Sequence, residues 1–148
     1  MNYLSWKMGL GIGVLLMGVT AMAQNVEIAV QILDGRNGKP VPKHQLVVFT
    51  GLSSDSAKRH EANTSITTDK DGLAMLKVSV AETQWIQVWA NGLVLCQANP
   101  DDYSLNVDAI MKAGVSTPNT CSSTVREAAA GRLVLFMRPT HFREKNKE

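Results

Sequence analysis

Aromatic residues make up only 5% of the 148 positions, and cysteine occurs twice. The two cysteines, Cys96 and Cys121, are not spaced like a zinc knuckle, and the nearest histidine in sequence, His141, is far from both. No serine sits in Gly-x-Ser-x-Gly, so Ser53, Ser54, Ser56, Ser122 and Ser123 read as loop residues and not as nucleophiles. The glycine-rich run GLGIG lacks the Lys-Ser or Lys-Thr that a phosphate loop needs. A surplus of one charge is also missing: the formal net charge is +2. That excludes the basic stripe of a nucleic-acid binder. The only basic cluster is the tail RPTHFREKNKE, which carries two glutamates and reads as a solvated terminus.

Long apolar runs are confined to the start. Met1 to Lys7 carries one positive charge and no acid, MGLGIGVLLMGVTAM is apolar or small, and AMA at Ala21 to Ala23 offers small residues before a cut. These are the three regions of a secretory signal peptide, with cleavage expected after Ala23. The apolar stretch is short for a membrane span of about 20 residues. No cysteine follows the cut to carry a lipid. The expected division is therefore a signal peptide over 1–23, one folded domain over 24–139 and a charged tail over 140–148. No stable membrane anchor remains after cleavage, and the destination is the periplasm or the outside of the cell. In an oxidising compartment two cysteines read as one disulfide, Cys96 to Cys121. Its loop of about 26 residues would contribute roughly 3.5 kcal/mol in the chain-entropy model.

Past the leader, apolar residues alternate. Val26, Ile28, Val30 and Ile32 share one face of a strand, and Ala74, Leu76 and Val78 share one face of another. HQLVVFTG, SITTD and RLVLFMRP read as further strands, with LSSDSAKRHEANTS as a surface loop. In TQWIQVWANGLVLCQ, Asn91-Gly92 predicts a type I′ hairpin that pairs Trp89 with Val94 and Gln87 with Cys96. Ser104 is placed to cap a short helix bearing Leu105, Val107, Ile110 and Met111 and ending near Gly114. Seven short strands separated by turn signals predict an all-β sandwich with one short helix in a disulfide-tethered excursion.

Thr67 to Val78, TTDKDGLAMLKV, tests for chemistry. In a calcium-loop register from Asp69, Asp71 fits, but the fifth ligand is Leu73, the glycine position is Ala74 and the terminal glutamate is Val80. Nothing nearby would split the acidities of a carboxylate pair. A turn remains, with Asp69 folding onto its own backbone and Gly72 at positive φ. No cofactor, metal or catalytic residue is expected.

ILDGRNGKPVPKHQLVVF followed by ITTDKDGLAMLKV resembles the carboxypeptidase regulatory-like module of the transthyretin-like β-sandwich superfamily. The resemblance lies in Lys39 to Pro42 and in Thr68 to Gly72, and it spans about Val26 to Val80. It implies a seven-stranded Greek-key sandwich without catalysis of its own. Enzymes of the wider superfamily are not matched. The chain holds only His44, His60 and His141 and ends in REKNKE, unlike the hydroxyisourate hydrolases. Beyond the leader it has only Tyr103, whereas intradiol dioxygenases bind iron through two tyrosines.

The sharpest binding signal is Trp85 and Trp89, four apart on one strand face. Exposed, they could stack on a sugar ring or on a partner's apolar side chain. With Cys96 on the same face one strand over, the expectation is that the tethered excursion covers both. The reading is an exported β-sandwich that binds or scaffolds a protein or envelope polysaccharide. Its alternatives are strand addition or self-assembly, and a hydrolase built on His44, His60 or His141.

Overall fold

The computed structural model describes residues 24–140; the expected leader and all but the first residue of the expected tail lie outside the described residues. Alternation does what the sequence asks of it. In β1 (Asn25–Asp34) Ile28, Val30 and Ile32 are fully buried, and in β4 (Leu73–Ser79) Ala74, Leu76 and Val78 point inward while Met75 and Lys77 face water. β2 (Gln45–Gly51) contributes Leu46 and Val48, β5 (Trp85–Ala90) contributes Ile86 and Val88, and β9 (Arg132–Pro139) contributes Leu133, Leu135 and Met137. With β3 (Ala62–Thr67) and β6 (Leu93–Leu95), these strands form one hydrogen-bonded path in the order β3-β2-β5-β6-β9-β1-β4. Its ends meet at the turn joining β3 to β4, so the sheet nearly closes into a barrel around one core. β1 and β9 run parallel. Two further two-residue strands, β7 (Leu105–Asn106) and β8 (Val115–Ser116), patch the free edges of β5 and β9.

The turn at Asp69 is a turn. Its Oδ1 accepts from the amides of Asp71 and Leu73 at 2.7 and 3.0 Å, and Gly72 takes φ 71°. A Cβ on Gly72 would lie 2.6 Å from the Ile32 carbonyl oxygen, so glycine is required by packing as well as by φ.

Three local expectations are corrected. The run read as a loop, 52–65, holds a helix, α1 (Ser54–Lys58), opened by a capping box between Ser53 and Ser56. The second helix, α2 (Val107–Ala113), is capped by Asn106 and not by Ser104. Ser104 bonds instead to Ser54, and Leu105 is drawn into β7 beside Ile86. The Asn91-Gly92 turn is not type I′: Gly92 has φ 75° but Asn91 stays out of the positive region. The hairpin it closes keeps one pair, Ala90 with Leu93, and then opens. β6 leaves because β9 competes for it and wins at Leu93, Val94 and Leu95.

That departure decides where the disulfide acts. Cys96 and Cys121 are bonded. Cys96 follows β6 to β9, where its amide donates to the Phe136 carbonyl at 2.9 Å. The 117–131 excursion therefore covers the outer side of β1 and β9, burying Leu33, Val134 and Phe136 in a second apolar cluster. Asn119 and Ser122 both donate to the Gly35 carbonyl, at 2.9 and 2.6 Å. Gly35 lies under the disulfide so closely that a Cβ there would sit 2.4 Å from the Cys96 sulfur. Among the described residues no helix is long and apolar enough to cross a membrane.

Candidate functional site

Of the 100–131 excursion expected over the tryptophans, only the first part meets β5, through Asp101, Tyr103 and β7, while 117–131 lies over β1 and β9. Along the outer face of β5 the three outward side chains meet different fates. Trp85 is half-buried, Gln87 is buried, and Trp89 is 41% exposed. α1 packs over β2 and β5, with Ala57 fully buried. In the middle, the Gln87 amide donates to the Asp101 carbonyl at 2.9 Å, and its Oε1 lies 2.8 Å from His60 Nε2. His60, at φ 56°, stacks its ring on Phe49 with centroids 3.7 Å apart. Among the described residues nothing comparable lies over Trp89, whose cross-strand neighbour is the half-buried Val47.

Trp89 stands at the rim of a seam between β5 and β6. Residues 86, 88 and 90 direct their main-chain groups toward this seam, and each meets a different partner. Ala90 pairs with Leu93 of β6, and Ile86 with Leu105 of β7. Between them, the Tyr103 hydroxyl accepts from the Val88 amide at 3.0 Å and donates to the Val88 carbonyl. One side chain therefore occupies the place of a missing strand residue. Its hydroxyl is enclosed although the residue as a whole is only half-buried. Burial drives the phenol well above its ordinary acidity range, against the opposing bond from Val88. Beside this plug lies an open cavity of about 230 Å³, lined by Trp89, Val94, Leu95, Pro100, Asp101 and His60 among others.

His44 Nε2 meets the Asn91 carbonyl oxygen at 2.9 Å, and His60 meets Gln87. Among the described residues neither ring is hydrogen-bonded to a carboxylate. His141, the third histidine of the hydrolase reading, lies outside the described residues. Among the described residues no three His, Cys, Asp or Glu side chains come together as a metal site would require. Trp85 and Trp89 do share a face, but only Trp89 is open. Gln87, His60, Asp101 and Tyr103 were not singled out as members of this site. The available signal was Pro100 with two aspartates behind it, which turns the chain back across β5.

A scan against protein-family models and a search of curated proteins return no match to the chain.

Proposed function

We propose that the chain is an exported, non-catalytic binding module that holds a protein or an envelope polysaccharide against Trp89 and the β5–β6 seam. The observation that carries this is the exposure of Trp89 on a strand face whose other two positions, Trp85 and Gln87, are half-buried and buried. A large indole left in water next to a cavity with both apolar and polar walls suits stacking on a pyranose ring or on a partner's apolar side chain. Export is supported by the signal-peptide pattern of residues 1–23 and is compatible with the disulfide. The strand path, with β4-β1-β9 on one side and β3-β2-β5 on the other, is compatible with a transthyretin-like Greek-key sandwich. On that reading β6 closes the seam between the two halves, and the module is of the carboxypeptidase regulatory-like kind.

The test is co-sedimentation of the purified protein with cell-wall polysaccharide, beside capture from envelope extract, for the wild type and Trp89→Ala. Affinity for whichever partner is retained should fall about ten-fold or more in the variant, with an unchanged melting curve. Equal retention of both proteins would remove Trp89 from the interface and this reading with it.

A further inference from the structure

β3 is one end of the strand path, paired among the described residues only with β2. β2 offers its odd-numbered residues to β5, because residues 86, 88 and 90 of β5 are turned to the seam and 85, 87 and 89 remain for Gly51, Phe49 and Val47. Its even-numbered residues then bond β3, at Ala62, Thr64 and Ile66. The amides and carbonyls of Asn63, Ser65 and Thr67 point away from the sheet, and no described group bonds to them. All three residues are exposed.

Edges of this kind are ordinarily protected by a charge, a proline, a bulge or a covering loop. Ala62 to Thr67 has no charge, no proline and no glycine, and its pairing to β2 runs six residues without a bulge. Two threonines and an isoleucine favour the extended state. We propose that this edge pairs antiparallel with the β3 edge of a second copy, about a two-fold axis at Thr64.

The register follows from charge. An axis at Ser65 would place Glu61 opposite Asp69 of the second copy, two acids face to face. An axis at Thr64 sets Asn63 opposite Ser65 and Glu61 opposite Thr67, with no like charges opposed. The Asn63 and Ser65 pairs then exchange about four main-chain hydrogen bonds. Thr64 meets its own copy as a close pair without main-chain bonds, the geometry in which hydroxyl side chains reach each other. The two β3-β2-β5 faces would become one continuous sheet, with the Trp89 strands about 24 Å apart at ordinary strand spacing. The pairing does not depend on what Trp89 binds.

Sedimentation of the purified protein across a wide concentration range tests it. A dimer is expected. Ser65→Pro removes an outward amide and leaves the bonds to β2 in place, so it should weaken association at least ten-fold. Ser65→Lys, which adds an edge charge without touching the main chain, should do the same and serves if the proline variant does not fold. Thr64→Cys should form a covalent dimer on oxidation, since the paired Cα atoms lie about 4.5 Å apart. Thr67→Cys, which faces Glu61 and not itself, should stay uncrosslinked. A monomer at every concentration, a dimer indifferent to both Ser65 variants, or crosslinking at Thr67 in place of Thr64 would each overturn the proposal.

Discussion

β9 and β3 lie in the same sheet and are held in opposite ways. β9 has β1 along one edge and β8 and β6 along the other, with apolar clusters on both faces. β3 has β2 along one edge; along the other it meets β4 only at the corner where the Asp69 amide bonds the Leu73 carbonyl, no described strand pairs with the rest, and residues on both faces are exposed. Burial on two faces explains why RLVLFMRP is almost wholly apolar while ANTSIT is not. The half built on β1 and β9 is a frame; the half built on β2, β3 and β5 carries the open features, which are the bare edge, the plugged seam and Trp89. A frame can be tightened without cost to binding, whereas a recognition edge must stay unsatisfied until its partner arrives.

Removing the staple should break this contrast most. Replacing Cys96 and Cys121 together by alanine lifts the constraint on a loop of about 26 residues and should cost roughly 3.5 kcal/mol in denaturant unfolding. The loss should register locally too. The amides of Gly35 and Cys96, which bond to β9 beneath the excursion, and of Thr120, which bonds the Cys96 carbonyl, should exchange faster, while Val48 in β2 keeps its protection. A uniform loss of protection across both halves would show that the frame is not separately held.

The seam comes next. Tyr103→Phe keeps the ring and deletes the hydroxyl, leaving both the Val88 amide and the Val88 carbonyl without a partner. One or two orphaned groups should cost about 1–3 kcal/mol, with faster exchange at Val88 as the local signature. The same hydroxyl predicts a pH effect. Its folded pKa is raised, so its contribution is full below the unfolded value near about 10 and is lost as pH climbs toward the folded value. Wild-type stability should therefore decline through the alkaline limb more steeply than that of Tyr103→Phe. Parallel curves would mean that the phenol is not enclosed in solution.

Legibility in the sequence divides along the same line. β1, β4 and β9 could be read because burial imposes a period of two or a continuous apolar run, and both survive as patterns. The Asp69–Gly72 turn was readable because one side chain and one positive φ define it locally. What lay beyond reading was competition between distant partners. Asn91-Gly92 signals a closed hairpin, and nothing local announces that β9 takes β6 away after Leu93. From that one error followed the misplaced excursion and the covering wrongly assigned to Trp89. The missed α1 is a different case: Ser53 and Ser56 spell a capping box, but five residues carry too little periodicity to stand out from a polar loop. Of the site, the cysteines and the tryptophan pair were visible by residue type. Gln87 and Tyr103 were not, and His60 was read only as a hydrolase candidate, because their roles depend on the seam.

The smallest expected effect asks whether charge matters to the frame. Asp34 ends β1 and starts the turn that carries Gly35 under the disulfide. Arg36 grips it through Nε at 3.0 Å and Nη2 at 2.7 Å, and the Arg36 amide adds a bond at 2.9 Å. The guanidinium bond lowers the carboxyl pKa against a partial opposing desolvation. A lowered folded pKa contributes stability above the unfolded value near about 3.9, and that contribution is lost as pH falls through the folded value. The arginine is largely solvated, so water screens the pair and the effect is small. Asp34→Asn should cost no more than about 0.5 kcal/mol at neutral pH, and the gap to wild type should close in acid. A cost approaching that of the disulfide would show that the ion pair, and not the staple, orders the turn beneath it.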